Sequence, residues 1–155
     1  MAIRNAAKAV MLYDGKILVN QCVNAEHGVF YDLPGGGQHL FESMEDAVIR
    51  EVLEETGYHV KIDRFLGVAE EIYDNPITRK KYFEYAHRIL HIFLVSLVSN
   101  AQSTATELDF QQSASVWMPL SEADTVTFHP TSISGKITSL VASSTPQYLG
   151  VVRMP

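Results

Sequence analysis

The chain is short of the residues that brace small secreted proteins: its 155 residues include one cysteine, Cys22, and one tryptophan, Trp117. A lone thiol cannot close an intrachain disulfide, which excludes a disulfide framework and fits a reducing, cytoplasmic compartment. Nothing around Cys22 supports a catalytic thiol, and it reads as a buried strand residue. Long apolar runs are also missing. The longest, Ile89 to Val98, is interrupted by His91 and Ser96, far short of the roughly 20 residues that span a bilayer. Arg4 and Lys8 leave only a short apolar stretch ahead of Asp14, so the amino end does not read as a secretory signal. Repeats, linkers and low-complexity tracts are absent, and residues 1–155 read as a single domain. Positive charge is scarce too: 12 Lys and Arg face 18 Asp and Glu, a formal net charge of −6. Such a chain is attracted neither to nucleic acid nor to an anionic membrane, and no stable partner of either kind is expected.

What is present is concentrated between Gly36 and Tyr58. If Ser43 to Thr56 is helical, Glu51, Glu54 and Glu55 fall at i, i+3 and i+4, on one face. Each like-charge pair so placed costs an isolated helix a few tenths of a kcal/mol. A hard cation such as Mg²⁺ or Mn²⁺, which prefers oxygen ligands, would reverse that penalty. Ser43 followed by Asp46 resembles a capping box, Ala47, Val48, Val52 and part of Leu53 supply an apolar stripe, and Gly57 stands where a left-handed cap is wanted. Ahead of the helix, Leu33 to Gly37 reads as a loop that lets backbone carbonyls approach a ligand.

This segment resembles the Nudix box, G-x5-E-x7-R-E-U-x-E-E-x-G-U with U a bulky apolar residue. Gly36, Glu42, Arg50, Glu51, Glu54, Glu55 and Gly57 occupy every fixed position. Tyr58, aromatic where an aliphatic is usual, is the one departure. The resemblance implies an α/β/α sandwich, a mixed β-sheet flanked by helices, and a metal-dependent hydrolase using Mg²⁺ or Mn²⁺. It implies that Glu54 and Glu55 are the principal metal ligands together with the Gly36 carbonyl. Glu51 would be a further ligand, or would orient or deprotonate the attacking water. Arg50 is grouped with these catalytic residues. Its expected role is an ion pair with Glu42 that supports the loop, with a phosphate contact as the minority option.

Elsewhere the reading stays open. Glu107 and Asp109, on the loop before Trp117, are candidate extra ligands or bases. Of the adjacent Glu70 and Glu71, only one can face a site from a strand. His87 and His91 share a strand face, with packing favoured over ligation. Arg79, with Lys80 and Lys81, suits a polyphosphate or a solvated hairpin tip. Tyr73 and Trp117 could stack on a nucleobase, with burial or a dimer contact as the default. In the family, a tyrosine some 15 to 18 positions past the last box glycine hints at diadenosine polyphosphates; Tyr73 lies 16 past Gly57.

The remaining elements are read as strands over Ala6 to Tyr13, Lys16 to Val23, Val60 to Ile72, His87 to Val98 and Ser115 to Pro119. Asn24 to Tyr31 and Ser99 to Thr106 are read as loops, and Thr131 to Ser143 as a second helix. The expected activity is cleavage of a nucleoside diphosphate linked to another moiety, of the dinucleoside polyphosphate, ADP-ribose or nucleotide sugar type. The substrate is a small-molecule nucleotide, and a homodimer is left open. The alternatives are a nucleoside triphosphate pyrophosphatase of pool sanitation, a non-catalytic nucleotide sensor and, with less support, an isopentenyl diphosphate isomerase.

Overall fold

A computed structural model of the protein describes residues 2–26, 28–108 and 112–155. Strands β1 (Arg4–Tyr13) and β2 (Lys16–Asn24) form a hairpin around Asp14 and Gly15. Both turn residues have positive φ, 50° and 70°, as the tight turn matching strand twist requires. There follow β3 (Gly28–Asp32), β4 (Gly35–Gly37), helix α1 (Met44–Thr56), β5 (Tyr58–Tyr73), the short helix α2 (Pro76–Lys81) and β6 (His87–Gln102). The chain ends with β7 (Gln112–Pro119), two 3-10 turns, helix α3 (Ile137–Ala142) and β8 (Gln147–Met154).

The strands join in one mixed sheet, ordered β3-β2-β1-β6-β5-β8, with β4 added to β1 and β7 added to β2. The pairs β1 with β6 and β5 with β8 are parallel; the others are antiparallel. Period-2 alternation in β1 feeds two cores. Ala7, Ala9 and Met11 pack under α1 with Ala47, Val48 and Val52. Val10 faces the other side, with Leu66, Leu90, Phe128, Ile137 and Leu140 beneath α3 and the 3-10 turns. The small Ala7 and Ala9 let α1 lie close to the sheet. Helices on both faces make the expected α/β/α sandwich.

Several expectations need correction. Asn24 to Tyr31 is not a loop throughout, because Gly28–Asp32 pairs with the end of β2 and buries Phe30. The glycine run is not a free loop either: Gly35–Gly37 is a strand on β1, in register with Ala6 to Lys8. Strand β6 runs on to Gln102, so only part of the polar stretch is loop. The basic residues Arg79 to Lys81 do lie at a hairpin tip, between antiparallel β5 and β6, but there they form the helix α2, capped by Asn75. Thr131 to Ser143 is interrupted, since Gly135 takes φ 71° and divides a 3-10 turn from α3. Strand β8 is hidden in the sequence because Gly150 and Arg153 blur its alternation. Its parallel pairing with β5 covers that edge of the sheet. Trp117 leans into the α1 core, its indole donating to the Tyr58 hydroxyl at 3.4 Å with the rings edge-on at 5.9 Å. Among the described residues, no helix is long and apolar enough to cross a membrane.

Gly57 closes α1 in the left-handed conformation, φ 76°, and its N–H donates to the Leu53 carbonyl. A Cβ there would fall inside the Ser103 carbonyl oxygen. Gly57→Ala therefore combines an unfavourable φ with a backbone clash. We expect it to lower the unfolding free energy by about 2 kcal/mol or more. Urea titration reads this directly, and a midpoint unchanged from the parent would contradict the packing of that corner.

Candidate active site

Helix α1 begins as its sequence suggests. The Ser43 hydroxyl oxygen accepts from the Asp46 amide at 3.0 Å, and the Ser43 hydroxyl donates to the Asp46 carboxylate at 2.7 Å. Its far end runs against helix electrostatics. The last turn has no basic residue and carries Glu54 and Glu55 where the helix dipole is negative, a placement that disfavours anions. Stability alone would not select acids there, which is a physical sign of a ligand site.

The carboxylates are held by two separate devices. Glu55 is 4% exposed, and its Oε2 accepts from the Asn20 amide at 2.8 Å and from the Gly35 N–H at 3.0 Å. It sits where β2 and β4 diverge, both having paired with β1. The Asn20 Oδ1 in turn accepts from Ser115 and Gln112, so the carboxylate is tied through β2 to β7. Arg50 holds the rest. Its Nε and Nη2 grip the two Glu42 oxygens at 2.7 and 2.9 Å, and Nη2 also donates to the Gly37 carbonyl at 3.0 Å. Its Nη1 lies between Glu51 at 2.8 Å and Glu54 at 3.1 Å. The two-pronged bond from Arg50 brings the Glu42 carboxyl down from 4.5 to about 2, and the Arg50 guanidinium is pushed further above its usual range.

The glycine ribbon forms the rim. Gly36 backs onto the Glu51 carboxylate and Gly37 onto the Arg4 guanidinium, each where a Cβ would otherwise lie. Lys8, 4% exposed, secures the start of the ribbon by donating to Asp32 at 2.8 Å and to the Leu33 and Gly35 carbonyls. Around the ribbon is a cavity of about 350 Å³ whose walls include Glu51, Glu54, Glu55 and Glu107 as well as Arg4, Arg88 and Tyr85.

The family model of the NUDIX domain matches residues 3–135. The chain belongs to the Nudix hydrolase family. A MutT-like protein of Streptomyces ambofaciens is 41% identical over 64 residues, which are 41% of this chain and 40% of that protein. An ADP-ribose pyrophosphatase of Methanocaldococcus jannaschii is 31% identical over 108 residues, 68% of this chain and 59% of that one. This chain thus matches less than two thirds of the length of either relative. Among solved structures, a NUDIX hydrolase from Nitrosomonas europaea superposes with a TM-score of 0.70 at 20% identity, covering 91% of this chain and 89% of that one. At that identity the likeness concerns the fold alone.

Gly36, Arg50, Glu51, Glu54 and Glu55 of the box thus meet at one cavity. Glu107 joins them because the Thr106 and Glu107 amides both donate to the Glu54 carbonyl, folding that loop onto the end of α1. Asp109 lies outside the described residues. Tyr73 and Arg79 are not brought to the cavity: Tyr73 stacks on Tyr82, and Arg79 donates to the Tyr73 carbonyl and pairs with Asp74. Glu70 pairs with His87, and Glu71 with Arg88, on opposite strand faces. His91 approaches Asn5 and Phe65. The reading passed over Asn20, Lys8, Arg4, Arg88 and Tyr85. Lys8 did leave a trace, as the one charged residue in the otherwise apolar run Ala6 to Met11.

Does this donor set suit a divalent cation? Among the described residues no three of His, Cys, Asp or Glu are already drawn together around a metal position. The reason is visible: Arg50 Nη1 bridges Glu51 and Glu54, while Glu55 bonds to Asn20 and Gly35. That bridging nitrogen is a stand-in cation, and it shows that a single positive centre reaches both carboxylates. The donors are hard oxygens, as Mg²⁺ or Mn²⁺ requires, and they fit.

The Glu42 carboxyl titrates lower in the folded chain than in the unfolded one. Its contribution is complete above about pH 4.5 and disappears as pH falls toward 2. Glu42→Gln should therefore be less stable than the parent at neutral pH, with the gap closing across that acid window. Chemical denaturation at stepped pH measures it, and a gap independent of pH would reject the charge pairing as its source.

Proposed function

We propose that the protein is a metal-dependent hydrolase cleaving the phosphoric anhydride of a nucleoside diphosphate linked to another moiety, of the ADP-ribose, nucleotide sugar or dinucleoside polyphosphate type. The observation that carries this reading is the meeting of Glu51, Glu54 and Glu55 with a bare glycine ribbon at one cavity. The cavity volume suits a diphosphate and part of its substituents. The match to a relative named as an ADP-ribose pyrophosphatase supports the substrate class.

In this reading Glu54 and Glu55, with the Gly36 carbonyl, hold Mg²⁺ or Mn²⁺. The bound cation would neutralise charge on phosphoryl oxygens and lower the pKa of a water. Glu51 is a further ligand, or it positions and deprotonates the attacking water; Glu107 is the alternative base. Arg50 keeps Glu51 and Glu54 on the ribbon side of α1, and Glu42 fixes Arg50. Asn20 and the Gly35 amide hold Glu55 in the gap between β2 and β4.

Glu54→Gln and Glu55→Gln should each reduce kcat/KM on the order of 10³-fold with the fold retained. Glutamine keeps an oxygen for the Asn20 and Gly35 donors, so circular dichroism should be unchanged. A panel of nucleoside diphosphate derivatives assayed with Mg²⁺ and with Mn²⁺ supplies the substrate. Turnover of simple triphosphates alone would favour pool sanitation instead. Tight binding of one nucleotide without turnover would favour a sensor.

A further inference from the structure

We propose that Arg4, backed by Tyr85 and Arg88, is a specificity-determining cation that grips a phosphoryl group of the substrate across the glycine ribbon from the carboxylates. This rests on the anhydride-hydrolase reading and extends it to residues outside the box. Arg4 and Arg88 are directly paired on the parallel strands β1 and β6, so their side chains share one face. The Tyr85 ring lies between them, 4.8 Å from the Arg4 guanidinium carbon and 5.8 Å from that of Arg88. Two neighbouring guanidinium groups repel unless anions compensate them.

Compensation is uneven. Arg50 is matched by Glu42, Lys8 by Asp32 and Arg88 by the buried Glu71. Among the described residues, the Arg4 side chain makes no ion pair or hydrogen bond, and its one electrostatic partner is the face of Tyr85. The Arg88 Nε is buried with no hydrogen-bond partner among those residues. Both arginines line the cavity that holds Glu51, Glu54 and Glu55. A planar guanidinium with unused donors at such a wall suits phosphoryl oxygens better than any other common anion in a nucleotide.

The ribbon explains the reach. In an extended segment successive residues face opposite sides, and here Gly36 faces Glu51 while Gly37 faces Arg4. Without Cβ atoms the ribbon is low enough for a diphosphate to cross. One phosphoryl group would then sit by the carboxylates and the next by Arg4. A monophosphate could occupy only one side.

Binding of inorganic pyrophosphate, measured by calorimetry in EDTA on the whole chain, tests the contact apart from turnover. Arg4→Ala should weaken it about 10-fold or more, and Arg4→Lys should recover at least about a third of the parental affinity. With the preferred substrate, Arg4→Ala should raise KM about 10-fold while kcat changes less than about 3-fold. Pyrophosphate binding lost in Arg4→Ala and recovered in Arg4→Lys would sustain the contact even if no nucleotide were cleaved, in which case only the hydrolase reading fails. Equal pyrophosphate affinity in the parent and Arg4→Ala, or no binding by the parent, overturns the proposal.

Discussion

One guanidinium organises the site. Arg50 faces Glu42, Glu51, Glu54 and the Gly37 carbonyl at once, and without it three acids and a carbonyl would crowd one corner with nothing to offset their charge. Because the group is planar and its donors diverge, it fixes directions as well as charge. Lysine, with a single point of charge, could not hold the Glu42 pair and the Glu51–Glu54 pair together. The Glu42 loop, the Glu51–Glu54 pair and the Gly37 end of the ribbon are tied together by this contact.

A second constraint works from below. Glu55 is buried between β2 and β4 where those two strands diverge, and its partner Asn20 is bonded onward to Ser115 and Gln112. The acid row is therefore clamped at its loop side by Arg50 and at its sheet side by Glu55. A site that binds a highly charged group gains from such pre-organisation, since little needs to be ordered when the ligand arrives.

The helix and its ends were legible in the chain because local rules decide them: a serine cap, an apolar stripe and a glycine with positive φ. So was the pairing of Arg50 with Glu42, for which the family motif was the guide. The divergence of β2 from β4 was not legible, since pairing across many residues is a tertiary outcome that local propensity does not encode. Glycine residues also hide strands, as Gly35–Gly37 and the Gly150 region show, because they carry no side-chain alternation to read. Arg4 and Arg88 illustrate the same limit. They lie 84 positions apart in sequence, and only the parallel pairing of β1 with β6 makes them neighbours.

Trp117 brings an experimental consequence of its own. As the sole indole of the chain, it rests edge-on against Tyr58, the residue that follows the helix cap. Indole emission, excited at wavelengths that tyrosine does not absorb, therefore reports on how tightly the far end of α1 is seated. The same light is silent about the guanidinium wall across the ribbon, so a dye or an isotope label would have to be added to watch that side.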